Sequence, residues 1–85
     1  MADLPSRSEL ADTLGAAGVA HEDYERAALK GVRDALWAGF HAAFVLGRLG
    51  EFVAAGRLAA LLEEVDDAAD WPEAAAAQVL RKLRS

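Results

Sequence analysis

Between Ala35 and Leu62 the chain runs through apolar and small residues, interrupted only by His41, Arg48, Glu51 and Arg57. A stretch of that kind has to be covered over much of its length, because apolar surface left in water is unfavourable. Within it and just ahead of it, small residues recur at every fourth position: Ala27, Gly31, Ala35, Gly39, Ala43 and Gly47. Residues four apart stack on nearly one side of an α-helix, drifting by about 40° per step. A row of Gly and Ala there makes a shallow groove in which a second helix can settle closely. Gly inside a helix costs roughly 1 kcal/mol against Ala, so three cost about 3 kcal/mol, and close packing has to offset that. The ladder therefore predicts a helix crossing. Its first expected place is inside one bundle. Its second is between two chains, and its third is a membrane contact of the small-xxx-small kind.

The composition points to helices throughout. Ala and Leu dominate, β-branched residues form no runs, and 85 residues suffice for one small core. The expected fold is all-α: a single domain over residues 1–85 with a loose lead-in at 1–5, built as a bundle of four helices, with six as the alternative. The chain has no Cys, which excludes disulfides and thiolate metal sites. Its net charge of −5 argues against nucleic acid, whose binders displace counterions with clustered Lys and Arg. The basic cluster Arg81, Lys82 and Arg84 reads as a helix end whose cations face the negative pole of the dipole. No segment reads as a signal peptide. The cleanest apolar run, Ala35 to Gly47, is 13 residues, and a membrane span needs about 20. Membrane insertion is not expected, and the expected location is cytoplasmic.

Local signals place the helices. Ser6 to Glu9 is a capping box, with Leu10 and Leu14 on one face of the helix that follows. Gly15 or Gly18 is its expected end. A second helix is expected from near His21, with Glu22, Asp23 and Glu25 in its first turns. It would run to Gly47, unless it breaks near Gly31 or Gly39. Gly47 to Gly50 reads as a turn. A third helix is expected from about Glu51 to Val65, fraying among Glu63, Glu64, Asp66, Asp67 and Asp70. The last begins at Asp70-Trp-Pro-Glu73, with Asp70 as cap and Pro72 in the first turn. Ala76, Val79, Leu80 and Leu83 are its inward residues.

Chemistry-bearing residues are sparse. On one continuous helix His21 and His41 would stand about 30 Å apart on opposite sides, unable to share a metal. There is no H-E-x-x-H spacing. The hydroxyls of Ser6, Ser8, Thr13, Tyr24 and Ser85 lie in no nucleophile elbow. The acids from Glu63 to Asp70 lack the spacing and the glycine of an EF-hand loop. No catalytic residue, cofactor or metal is expected, and the chain does not read as an enzyme. Trp37 and His41 stand one turn apart on the polar side of the expected second helix. A Trp among charges is a modest sign of an interface.

Two resemblances accompany this reading. Leu14 to Leu46, above all VRDALWAGFHAAFVLG, resembles the loop and start of a late transmembrane helix in drug-efflux transporters of the major facilitator superfamily. The broader layout is a capped first helix, a central Trp, then Gly56-Arg-Leu-Ala-Ala-Leu-Leu62, an acidic turn and a Pro-started last helix. It resembles the bacterial effector-associated or death-like domains, small bundles of the death-fold type. That resemblance implies an adaptor that brings proteins together by like-with-like contacts. The expected function is thus a protein-interaction module, docking a partner or a second copy (a homodimer) on a helix face. The expected partner-binding residues are Gly31, Ala35, Trp37, Gly39, His41, Ala43 and Gly47. The alternatives are a membrane-associated segment related to transporters, and a small-ligand or metal-binding bundle centred on His41.

Overall fold

The computed structural model describes residues 3–30 and 36–84. Among these the protein is all-helical, with four helices: α1 (Arg7–Ala28), α2 (Trp37–Leu49), α3 (Ala55–Glu63) and α4 (Trp71–Arg84). The six-helix alternative finds no support. The molecule measures 39 × 27 × 19 Å. Its short dimension is about two helix diameters, so the helices form two layers around one core. α1 packs against both α4 and α2, α2 packs against α3, and α3 touches α4 over a smaller area. The fully buried side chains at the centre are Leu10, Leu14, Val45, Leu58, Leu62 and Val79.

The capping box at the start of α1 is formed. The Glu9 amide donates to Ser6 Oγ at 3.1 Å, and the Ser6 amide donates to Glu9 Oε1 at 3.0 Å. The Ser6 contacts hold the Glu9 carboxyl below its usual range. The expected stop at Gly15 or Gly18 does not occur; α1 continues through both for 22 residues. Leu10, Leu14, Ala17 and His21 are all buried, at a spacing of four, three and four. One inward stripe thus crosses the glycines, and its burial outweighs their propensity cost of about 1 kcal/mol each. The break falls later. The Leu29 amide closes on the Glu25 carbonyl at 3.1 Å, and Lys30 takes a left-handed conformation at φ 55°. This is a left-handed helix stop made without glycine. The chain then returns along α1 as α2, so the expected continuous helix from His21 to Gly47 is two helices. Gly39 lies inside the second of them, and Gly31 lies outside the described residues.

Gly50 ends α2 at φ 89° and ψ 162°, a region essentially restricted to glycine. The linker after it is not helical, contrary to the expected start at Glu51. It turns the adjacent Phe52 and Val53 into the core together, at 4% and 6% exposure. α3 begins only at Ala55 and ends at Glu63, the first residue of the acidic run. α4 starts where its cap predicts, with the Glu73 amide donating to Asp70 Oδ1 at 3.3 Å. Arg7 and Glu73 pair at 2.8 Å and join the starts of α1 and α4.

Candidate functional site

α2 separates the expected partner-binding residues into two groups. Gly39, Ala43 and Gly47 lie on its exposed side, whereas Ala38, His41, Ala42 and Val45 face inward and are buried. A Cβ built at Gly39 or Gly47 would meet no atom of the described residues within 4 Å. The rungs of the ladder on α2 are therefore not the intramolecular crossing that was the first expectation. The rung on α1, Ala27, is exposed as well. Gly31 and Ala35 lie outside the described residues.

The outward side of α2 carries almost no charge. Arg48 is the only charged residue in the helix, and its guanidinium sits 4.9 Å from the centre of the Phe44 ring. Phe40 and Phe44 stack along one edge of the ladder, 6.5 Å between centroids. Tyr24 of α1 extends this row by stacking on Phe40 at 5.8 Å. Leu36, just ahead of the helix, is 78% exposed.

Trp37 and His41 belong to the other side. Trp37 is half-buried and His41 is buried, so they do not form the exposed Trp–His face expected from a single long helix. The fold-back of α2 on α1 brings His41 to His21, with ring centroids 5.4 Å apart. The expected 30 Å separation fails because the helix is interrupted between the two. His21 also packs on Phe40 at 4.8 Å, and its Nδ1 lies 3.9 Å from Glu25 Oε1. His41 Nδ1 is 2.9 Å from the Trp37 carbonyl oxygen. That oxygen can only accept, so the hydrogen resides on Nδ1. Burial pushes the His41 pKa below its ordinary value and the neighbouring His21 adds to this, while the Trp37 carbonyl opposes it.

Trp71, the first residue of α4, completes this cluster. Its ring lies 5.6 Å from that of Trp37 and 5.8 Å from that of His41, and Trp37 lies 5.4 Å from His41. All three pairs are nearly perpendicular, at 77° to 85°. The backbones of α2 and α4 do not approach one another, so these rings join the two helices. Trp37, His41 and Trp71, with Val65 and Asp67 of the linker, line a cleft of about 210 Å³. A larger depression, about 500 Å³, lies between α1 and α4 beside Arg7, Arg81 and Arg84. Arg7 is already engaged there by Glu73.

Sequence reasoning missed Trp71, Val65, Asp67 and His21 as companions of His41. The available signal was positional: both tryptophans open a helix, and that is visible only once the helix starts are known. Among the described residues no group of three or more His, Asp or Glu side chains is placed to hold a metal ion. No helix among them is long and apolar enough to cross a membrane. Comparison with protein families, with curated proteins and with solved structures finds no match for this chain.

Proposed function

We propose that the chain is a non-catalytic self-association module, in which the outward side of α2 docks on the same side of a second copy. The observation that carries this reading is the exposed strip Gly39, Ala43 and Gly47, flanked by Phe40 and Phe44 and free of charge up to Arg48. A helix with so few polar residues is normally covered on most of its circumference. Here none of the described residues covers one side. Small residues four apart let two helix backbones approach closely, and a two-fold contact sets like residues against like. The net charge of −5 would oppose self-association if it lay on the contact, but none of the 14 acidic residues belongs to α2. Like-with-like assembly is also what the resemblance to effector-associated and death-like adaptors implies.

The test is mass in solution, by light scattering behind a sizing column over a range of protein concentrations. The wild type is expected to dimerise, and Ala43→Glu to run as a folded monomer. A wild type that stays monomeric at every concentration overturns the reading.

A further inference from the structure

We infer that the cleft lined by Trp37, His41, Val65, Asp67 and Trp71 is a binding site for a trimethylammonium group. It lies on the inward edge of α2, apart from the strip proposed for self-association. Three aromatic rings meet there at nearly right angles, with all centroids within 5.8 Å of one another. Two of the rings are indoles, the aromatic side chain at which cation–π attraction is strongest, and that attraction extends to about 6 Å from a ring centroid. Asp67 adds a carboxylate to the same lining. Glu64, Asp66 and Asp70 are exposed on the same connection, so this segment carries negative charge that favours the approach of cations.

The lining also selects among cations. A metal ion needs several donor atoms, and no such group exists among the described residues. A primary ammonium brings three N–H donors, and the polar side chains of the cleft are those of His41 and Asp67 alone. A primary ammonium is also strongly hydrated, and the indole rings replace none of the water it would give up. A quaternary ammonium has no N–H to satisfy and presents only methyl groups to the rings. The volume of about 210 Å³ suits one head group, being smaller than the roughly 300–1,000 Å³ of sites for drug-sized molecules. The buried His41 ring, held uncharged near neutral pH, does not repel the guest.

The chain's only two tryptophans both line the cleft, so intrinsic fluorescence reports on it directly. The experiment titrates the full chain with choline, with Nε-trimethyl-lysine and with 3,3-dimethylbutan-1-ol, the neutral carbon analogue of choline. Saturable fluorescence changes and shifts of both indole N–H resonances are expected with the charged probes and not with the neutral one. The tighter of the two charged probes identifies the bearer of the group. Trp71→Leu is expected to weaken binding on the order of tenfold, the loss of one desolvated cation–π contact. Asp67→Asn, at an exposed linker position, should weaken it several-fold while leaving the melting curve unchanged, which separates a binding effect from a folding effect. Absence of binding by both charged probes, or equal binding of the neutral analogue, overturns the proposal.

Discussion

The two sides of α2 differ in nearly every physical respect although they share 13 residues. The outward side is made of the smallest residues, and none of the described residues lies above Gly39 or Gly47. The inward side meets α1 through His21, α3 through the core, and α4 through Trp71. The helix is apolar on both sides apart from His41 and Arg48, yet the described part of the chain covers only one of them. The difference teaches that the ladder's regularity is not needed by the monomer. Folding alone would be served as well by Lys, Glu or Gln at positions 39 and 47, where their helix propensity exceeds that of Gly, and at little cost by the same residues at position 43.

Neighbouring substitutions of the same kind test this contrast most sharply. Ala42 is fully buried and Ala43 exposed. Ala42→Glu places an unpaired carboxylate in the core, which costs several kcal/mol against a total stability of about 5–15 kcal/mol. Circular dichroism of Ala42→Glu should show a largely unfolded chain at 25 °C. Ala43→Glu should keep the wild-type helical signal and change only the association state. Equal damage from both would erase the distinction between the sides.

Glycines give the next contrast. Gly50→Ala forces a side chain into a backbone region that costs on the order of 1–3 kcal/mol, so the urea midpoint should fall. Gly39→Ala replaces a helical glycine in open space, and the isolated monomer should gain about 1 kcal/mol. At concentrations low enough to hold the monomer, that corresponds to a melting temperature about 4–8 °C higher. A loss of stability in the Gly39→Ala monomer would mean that something in the chain does cover the ladder. Ser6→Ala, which removes one half of the cap on α1, should cost about 1 kcal/mol and serves as a control outside α2.

These elements also mark how far the sequence could be read. Ser6 with Glu9 and Asp70 with Glu73 were legible because a cap is local chemistry over three residues. The end of α1 is not legible because Gly15 and Gly18 have the composition of stops, while the stripe Leu10, Leu14, Ala17 and His21 that overrides them includes a histidine. The true stop, Lys30 at positive φ, leaves no compositional trace, since Lys is not a residue that favours that conformation. Everything downstream of that reversal was hidden with it, including the meeting of His21 with His41 and the role of Trp71. The adjacent pair Phe52 and Val53 fitted a helical face as readily as the non-helical linker it occupies. As for the ladder, its spacing was plain, but small residues state only that something can come close and not from which side.

The smallest expected effect is a slope, and it belongs to the inward side alone. Burial lowers the His41 pKa in the folded protein, whereas the unfolded chain has the ordinary value of about 6.5. Between the two values the unfolded state binds more protons than the folded state, so stability rises with pH in that window. It follows that the contribution of a neutral His41 is fully present above about 6.5 and is lost as pH falls through the folded value. His21, 5.4 Å away by ring centroid, and Asp67 across the cleft also face this ring, so the variant must change His41 alone. Denaturant midpoints of the wild type should decline as pH drops from 7.5 toward about 5.5, and His41→Gln should flatten that decline while leaving the outward side, and hence association, as it was. A His41→Gln chain that kept the full pH slope would place the titrating group elsewhere. A His41→Gln chain that lost the dimer as well would show that the two sides of α2 are coupled rather than separate.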